Sequence, residues 1–392
     1  MKKTALSPMS AIEKEHSLIS FPKGIILHQF TRVISPAIAV IICLTYVAHF
    51  LVTGHRAFFE SAVVVVCVAC SGYVYQAVAT FLDRRRYPPP GKLVDIDGSR
   101  LHMQAAGTGS PTVVFEAGLG AMSSGWGWIQ PEIGKFTRTV SYDRAGLGWS
   151  DASPAHPSAL FTVWRLHKLL QSSGIPGPYV LVGHSMGGLL VRVFAGLYYD
   201  EVAGMVLVDA SHPDQYKRYP AIRRHMHSGF QMLKKVPFLA RIGYVRLVRL
   251  FHSMAEGLPA RQRSEAEAFL SSLRHLSTTL KESMAWNELC AEVRCSRGLG
   301  NKPLAVVSAG TDLLPGAAEL QVELAALAAT GTHRVVEDAT HVSLVTHRDH
   351  AMAVVEAIRS VVAQVRKSSA ADPVWRHGDK DQDRYHGTAA SP

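Results

Sequence analysis

Residues 33–53, VISPAIAVIICLTYVAHFLVT, contain no acid, lysine or arginine, and residues 61–82, SAVVVVCVACSGYVYQAVATFL, contain none either. At 1.5 Å per residue each run makes a helix of about 32 Å, enough to cross a hydrocarbon core of about 30 Å. Uncharged apolar runs of this length are rare in soluble cores, and only a few residues around Gly54, His55, Arg56 and Glu60 separate the two. The runs therefore predict a transmembrane helical hairpin over 33–86, preceded by an N-terminal segment, 1–32. That segment is longer than the charged region of a cleaved signal peptide. Lys2, Lys3, Lys14, Lys23 and Arg32 precede the first run, Arg84, Arg85, Arg86 and Lys92 follow the second, and only Arg56 lies between. By the positive-inside rule both ends face the cytoplasm, giving a multi-pass membrane protein whose C-terminal domain is cytoplasmic. Charged residues make up 18% of the chain, below the roughly 25% of an ordinary soluble domain, which agrees with a part in lipid.

Pro88, Pro89, Pro90 and Gly91 read as a stiff linker over 87–91, so a new domain is expected over 92–367. KLVDID and RLHMQAAG flank Gly98-Ser99 as a β-hairpin, and PTVVFEAGLG, TVSYD, YVLVG, MVLVDAS, PLAVVSAG and HRVVEDA follow as short apolar strand candidates. Amphipathic helix patterns lie between most of them. Strand alternating with helix predicts an α/β fold with a mostly parallel sheet. The alternation stops once, over about 211–301, where helical patterns occur without a strand; this reads as a helical cap inserted after the sixth strand. Residues 368–392 are polar and charge-mixed, the composition of a disordered tail.

Within YVLVGHSMGG, a strand runs through a tight turn into the helix pattern LLVRVFAGLYY, with small residues on both sides of Ser185. A turn of this kind leaves the serine hydroxyl exposed at the strand's end. A serine hydroxyl needs a base in hydrogen-bond reach, itself oriented by a carboxylate. His341, in EDATHVSL, and Asp312, after PLAVVSAG, follow in the chain. The order Ser185, Asp312, His341, together with EAGLG, YDRAGLGWS and GHSMGG, resembles the α/β-hydrolase family over about 92–367. The resemblance implies that Ser185 is the nucleophile, His341 the base and Asp312 the orienting acid. It also implies that the backbone N–H groups of Leu119 and Met186 form the oxyanion hole. Asp209, at the end of MVLVDAS, is the alternative acid, since some members recruit theirs from that strand end. Where many relatives have His-Gly, this chain has Ala117-Gly118 preceded by Glu116.

The resemblance further implies a serine hydrolase acting on a carboxylic ester of a small-molecule acyl substrate, without cofactor or metal. A serine nucleophile argues against the haloalkane dehalogenase and epoxide hydrolase branches, whose nucleophile is an aspartate. Thioesterase, amidase, iminopeptidase, carbon–carbon hydrolase and acyltransferase chemistry stay open, as does a noncatalytic membrane receptor or scaffold. Asp143 and Arg144 are expected to brace the loop after their strand. Trp126 and Trp128 either line an acyl pocket or pack in a helix. Cys67 and Cys70, spaced as C-x-x-C inside an apolar run, are expected to be packing residues.

Lysine and arginine outnumber acids by 41 to 31. Part of that excess falls in the cap, where Lys217, Arg218, Arg223, Arg224, Lys234, Lys235, Arg241, Arg246 and Arg249 interleave with apolar residues. The pattern fits a helix pair lying on an anionic lipid surface, or a lid with a solvated basic face. No recognised nucleic-acid-binding fold accompanies the charge, so nucleic acid is not an expected partner.

Overall fold

The computed structural model describes residues 44, 45, 47, 48 and 55–371. Most of the first apolar run, and the tail from 372 onward, lie outside the described residues. The second apolar run is part of a 32-residue helix, α1 (His55–Arg86). It begins earlier than expected: the anticipated connector residues 55–60 are already helical, since HRAFFE contains no helix breaker. It ends in Arg84, Arg85 and Arg86, cations suited to a helix C-terminus, just before the three prolines that cannot continue it.

Among the described residues α1 is the one helix long and apolar enough to cross a membrane, and the partner expected for a hairpin lies outside them. Val63, Val64, Val66, Val68, Val74 and Val78 are exposed. From Gly72 onward, however, one face of α1 is occupied by protein. A Cβ at Gly72 would stand 2.3 Å from the Ile242 carbonyl oxygen. The Gln76 amide donates to the Ser271 carbonyl at 2.9 Å, and Asp83 pairs with Arg246 at 2.7 Å. The polar residue within the apolar run thus serves a protein contact.

The domain that follows is built on one eight-stranded sheet, in the order β1-β2-β4-β3-β5-β6-β7-β8. Its strands are β1 (Lys92–Ile96), β2 (Ser99–Ala106), β3 (Thr112–Glu116), β4 (Thr139–Tyr142), β5 (Tyr179–His184), β6 (Val202–Val208), β7 (Leu304–Ala309) and β8 (Thr332–Val336). The β1/β2 and β2/β4 pairings are antiparallel and all others parallel. Central strands in such a sheet are covered on both faces and therefore read as continuous apolar runs. Every residue of β5 is buried.

Alternation along β5 sends Tyr179 and Leu181 into one core and Val180 and Val182 into the other. The first core is covered by α3 (Ala159–Ser172) and α4 (Met186–Leu197), the second by α2 (Ile129–Gly134) and, from the C-terminal end of the domain, by the helix at Arg348–Ala371.

Between β6 and β7 come α5 (Gln215–Arg218), α6 (Pro220–Arg241), α7 (Tyr244–Leu247), α8 (Ala260–Phe269), α9 (Leu273–Met284) and α10 (Trp286–Arg294), without a strand. In α6, Ile222, Leu233, Val236 and Ala240 are buried, while Arg223, Arg224, Lys234 and Lys235 are exposed. The chain closes with α11 (Ala317–Ala325), α12 (Ser343–Thr346) and α13 (Arg348–Ala371), the last running four residues past the expected end of the domain. The proline linker is tied to the domain: the Trp149 indole N–H donates to the Tyr87 carbonyl at 2.8 Å, and the His102 ring bonds the Pro90 carbonyl.

Candidate active site

Ser185 is the single residue between β5 and α4, and it adopts φ 54°, ψ −123°, a conformation costly for a residue with a side chain. The turn is clamped from both sides. Its N–H donates to the Val208 carbonyl at 3.1 Å and its carbonyl accepts from Ser211 N–H at 3.0 Å. The flanking glycines are required by contact: a Cβ would stand 2.6 Å from the Gly187 carbonyl oxygen at Gly183, 2.3 Å from the Glu116 carbonyl oxygen at Gly187, and 2.3 Å from the Ala210 Cβ at Gly188. The motif GHSMGG is therefore the residue set that lets a strand, a helix and the Glu116–Ala117 segment converge beneath one hydroxyl.

His341 stands on the loop after β8, and its Nε2 lies 3.0 Å from Ser185 Oγ. On its other side, Nδ1 lies 2.6 Å from Asp209 Oδ2. The acid partner is thus Asp209, and the expected pairing with Asp312 is not what the structure contains. Asp209 follows β6 directly, at φ 40°. Its N–H donates to the Val307 carbonyl at 2.7 Å, and its Oδ1 accepts from Ala309 N–H at 3.2 Å, leaving Oδ2 for the histidine. The segment after β7 does other work. Gly310 and Thr311 N–H groups donate to the Ala339 carbonyl and so hold the histidine loop, while the Asp312 side chain is exposed.

Burial works against ionisation of Asp209, but the hydrogen bond from His341 and its charge outweigh it and hold the carboxyl below its usual range. The adjacent His184 is buried and neutral, its pKa pushed down to about 3 by burial and by the neighbouring His341. Its Nε2 donates to the His341 carbonyl at 3.0 Å, tying the backbone of that histidine to β5.

The segment after β3 lies directly over Ser185: a Cβ at Gly118 would stand 3.2 Å from Ser185 Cβ. All five donors of Arg144 are engaged here, three on this segment and two on Glu282. Nη1 reaches Glu116 Oε1 and the Ala117 carbonyl, both at 2.7 Å. Nη2 reaches the Gly118 carbonyl at 2.6 Å and Glu282 Oε2 at 3.1 Å, and Nε reaches Glu282 Oε1 at 2.6 Å. Tyr142 donates to the other Glu116 oxygen at 2.5 Å, and Gly120 N–H donates to Glu282 Oε2 at 3.1 Å. Glu282 belongs to α9, so the cap itself grips the loop that carries Leu119.

His275, also on α9, accepts from Gly148 N–H through Nδ1 at 3.1 Å and donates through Nε2 to the Gly120 carbonyl at 2.7 Å. Burial lowers its pKa to about 4, in keeping with this neutral tautomer. Glu116, which departs from the family pattern, is accounted for as a partner of Arg144. His184 lies inside the GHSMGG motif, whereas Glu282 and His275 carry no local sequence signal. Glu282, for instance, meets Arg144 across 138 residues. Of the two tryptophans, Trp126 is buried against Phe115 with ring centroids 4.9 Å apart, and Trp128 donates to the Gly257 and Thr346 carbonyls at 2.7 and 3.0 Å. Both brace the fold.

Asp143 makes a second histidine–carboxylate pair, 2.9 Å from His102 Nδ1, and also accepts from Ser123 and Trp149 N–H groups at 2.7 and 3.0 Å.

This geometry has relatives. YbdG, an uncharacterized protein of Bacillus subtilis, is 26% identical over 185 residues, 46% of this chain and 57% of that protein. Mouse epoxide hydrolase 4 is 28% identical over 179 residues, 42% of this chain and 49% of that protein. The chain spans about half the length of these curated relatives. Among solved structures, the Cif epoxide hydrolase of Acinetobacter nosocomialis superposes with a TM-score of 0.58 at 16% identity, covering 74% of this chain and 96% of that one, a likeness of fold. The family profile described as the alpha/beta hydrolase fold matches residues 111–347, more than half of the sequence, and the chain belongs to that family.

Proposed function

We propose that this protein is a membrane-anchored serine hydrolase that cleaves a carboxylic ester through an acyl-enzyme intermediate. The observation that carries the reading is the continuous line from Ser185 Oγ through the His341 ring to Asp209, at 3.0 and 2.6 Å. In this mechanism Asp209 stays ionised, accepts a hydrogen bond from the Nδ1–H of a neutral His341 and orients the ring. Nε2 takes the hydroxyl proton as Ser185 Oγ attacks the acyl carbon, and the resulting imidazolium returns that proton to the leaving alcohol. The Leu119 and Met186 N–H groups are assigned to the oxyanion. Met186 is the first residue of α4, where helix geometry leaves an N–H without an intrahelical acceptor. Water, activated by the same histidine, then releases the acid.

The names of the epoxide-hydrolase relatives do not transfer through this nucleophile. Attack by a carboxylate on an epoxide carbon forms an ester that water can hydrolyse. Attack by Ser185 would form an ether, which the same site could not cleave. Membrane anchoring is supported by α1 and its terminal arginines, and the positive-inside asymmetry favours a cytoplasmic active site. A second membrane helix over 33–53 and a cap resting on anionic lipid belong to the same reading. The test is hydrolysis of p-nitrophenyl esters, acetyl to palmitoyl, by the detergent-purified protein beside Ser185→Ala. Turnover should fall by about 10^4 to 10^6 in the variant. Ester hydrolysis that survives the substitution would sink the serine mechanism.

A further inference from the structure

Leu119, whose N–H is assigned to the oxyanion, owes its orientation to groups outside its own loop. A trans peptide group is planar, with its C=O and N–H on opposite sides, so holding one carbonyl aims the next N–H. The Gly118 carbonyl, in one plane with the Leu119 N–H, accepts from Arg144 Nη2 at 2.6 Å and from Ala121 N–H at 3.1 Å. The Leu119 N–H therefore points away from the guanidinium, and among the described residues it has no acceptor. The next plane is held too. Gly120 N–H donates to Glu282 Oε2 at 3.1 Å, and the Gly120 carbonyl accepts from His275 Nε2 at 2.7 Å. Gly120 sits at φ 61°, and a Cβ there would stand 2.5 Å from Thr279 Cγ2.

His275, Thr279 and Glu282 are buried and follow one another at helical spacing, so a single face of α9 is fitted to Gly120. Glu282 reaches further. Its oxygens take Arg144 Nε at 2.6 Å and Nη2 at 3.1 Å, so the side chain that fixes the Gly118 plane is itself fixed from the cap. Both side chains are sealed from water, Arg144 at 5% and Glu282 at 6% exposure. Without Glu282, Arg144 would keep a counter-charge in Glu116 at 2.7 Å and lose the two bonds that stop the guanidinium from turning. We propose that Glu282, acting with Arg144, is a positioning residue for the hydrolytic reaction, locking the peptide planes on both sides of Leu119 so that this N–H is aimed before substrate binds. The proposal rests on the assignment of Leu119 to the oxyanion. The cap then belongs to the catalytic apparatus, since lifting α9 would leave Ser185, His341 and Asp209 together and the oxyanion donor unaimed.

The test compares Glu282→Ala and Glu282→Gln with the wild type, each as full-length protein in detergent, below its thermal midpoint. Losing an oxyanion donor outright costs about 10^2 to 10^3 in kcat, and a misaimed one should cost part of that. In Glu282→Ala, kcat for p-nitrophenyl ester hydrolysis is expected to fall about 30-fold with KM within about twofold. Glu282→Gln, which keeps an oxygen for Gly120 N–H, should return to within about threefold of the wild type. A trifluoromethyl ketone, whose adduct with Ser185 carries an oxyanion, should lose affinity in Glu282→Ala by the factor lost in kcat/KM, while the matching secondary alcohol binds as before. An unchanged kcat in Glu282→Ala, a rise in KM alone, or a fall in kcat without loss of ketone affinity would overturn the positioning role. Were Glu282→Ala unfolded, Glu282→Asp, charged but one carbon shorter, would carry the same comparison at about tenfold. Labelling of Ser185 by a fluorophosphonate separates this role from the ester reading, because no ester is needed. The serine oxygen displaces fluoride at phosphorus, its proton passes to His341, and charge builds on the phosphoryl oxygen. If no ester is turned over, the ester reading falls; labelling about 30-fold slower in Glu282→Ala still supports the positioning role, and an equal rate overturns it.

Discussion

Two aspartates directly follow strands of this sheet and each pairs with a histidine, Asp209 after β6 with His341 and Asp143 after β4 with His102, and the two pairs do opposite things. His341 and Asp209 meet at 2.6 Å with the histidine side chain 47% exposed, while His102 and Asp143 meet at 2.9 Å with both side chains wholly buried. What separates them is the second ring nitrogen. In His341 it faces the Ser185 hydroxyl, which can donate, so the ring can stay neutral and take a proton. In His102 it faces the Pro90 carbonyl, and Nδ1 faces a carboxylate. The Asp143 carboxylate and the Pro90 carbonyl only accept, which favours hydrogen on both nitrogens and raises the ring's pKa above its ordinary value. A histidine–aspartate pair is a base only where its free side is offered a proton; with acceptors on both sides it is a structural ion pair.

The strongest way to break this contrast is at the open pair. Asp209→Asn should lower kcat for ester hydrolysis by about 10^4, through the wrong ring tautomer, and leave stability nearly intact. Asp312→Asn should change it by no more than about twofold, as expected of an exposed side chain. The reverse pattern in steady-state kinetics would return the acid to the strand end after β7. At the sealed pair the cost should appear in folding. Asp143→Asn leaves the buried imidazolium without its counter-charge and should destabilise the domain by about 3–5 kcal/mol in denaturant titration. Native stability in that variant would show that His102 is not charged.

The contrast also marks what the sequence could reveal. The alternating strands, the elbow and His341 were legible because each is a local pattern: apolar runs of strand length, small residues around one serine, a histidine after the last strand. The acid was not, because an aspartate at positive φ follows each of β6 and β7, Asp209 directly, at 40°, and Asp312 three residues on, at 57°. Spacing from a glycine cannot tell which strand end faces the histidine loop; the Ala339 carbonyl, bonded by Gly310 and Thr311, decides it. Glu282 and His275 were invisible for a related reason, since α9 carries them to the loop after β3 from more than a hundred residues away. In α1 the apolar pattern announced a membrane-type helix but not that Gly72 and Gln76 give one of its faces to the cap.

The smallest expected effect is also the most specific. Burial alone would lower the pKa of His102, but the charge of Asp143 and the hydrogen bonds to Asp143 and Pro90 overcome it and raise the value. Asp143 is likewise opposed by burial, yet His102 and two backbone N–H groups lower it. A raised histidine stabilises the fold fully below its unfolded value, about 6.5, and that contribution is lost as pH rises through the folded value. A lowered aspartate contributes above about 3.9 and is lost as pH falls through its folded value. Between about pH 4 and 6.5 both are charged and the pair contributes fully. Stability measured against pH should therefore decline on the alkaline side, by about 1.4 kcal/mol for each pH unit between the histidine's unfolded and folded values. His102→Gln, which keeps a donor but cannot titrate, should remove that component while leaving kcat for ester hydrolysis in place. Were kcat to fall and the stability profile to stay, the roles of the two histidines would be exchanged.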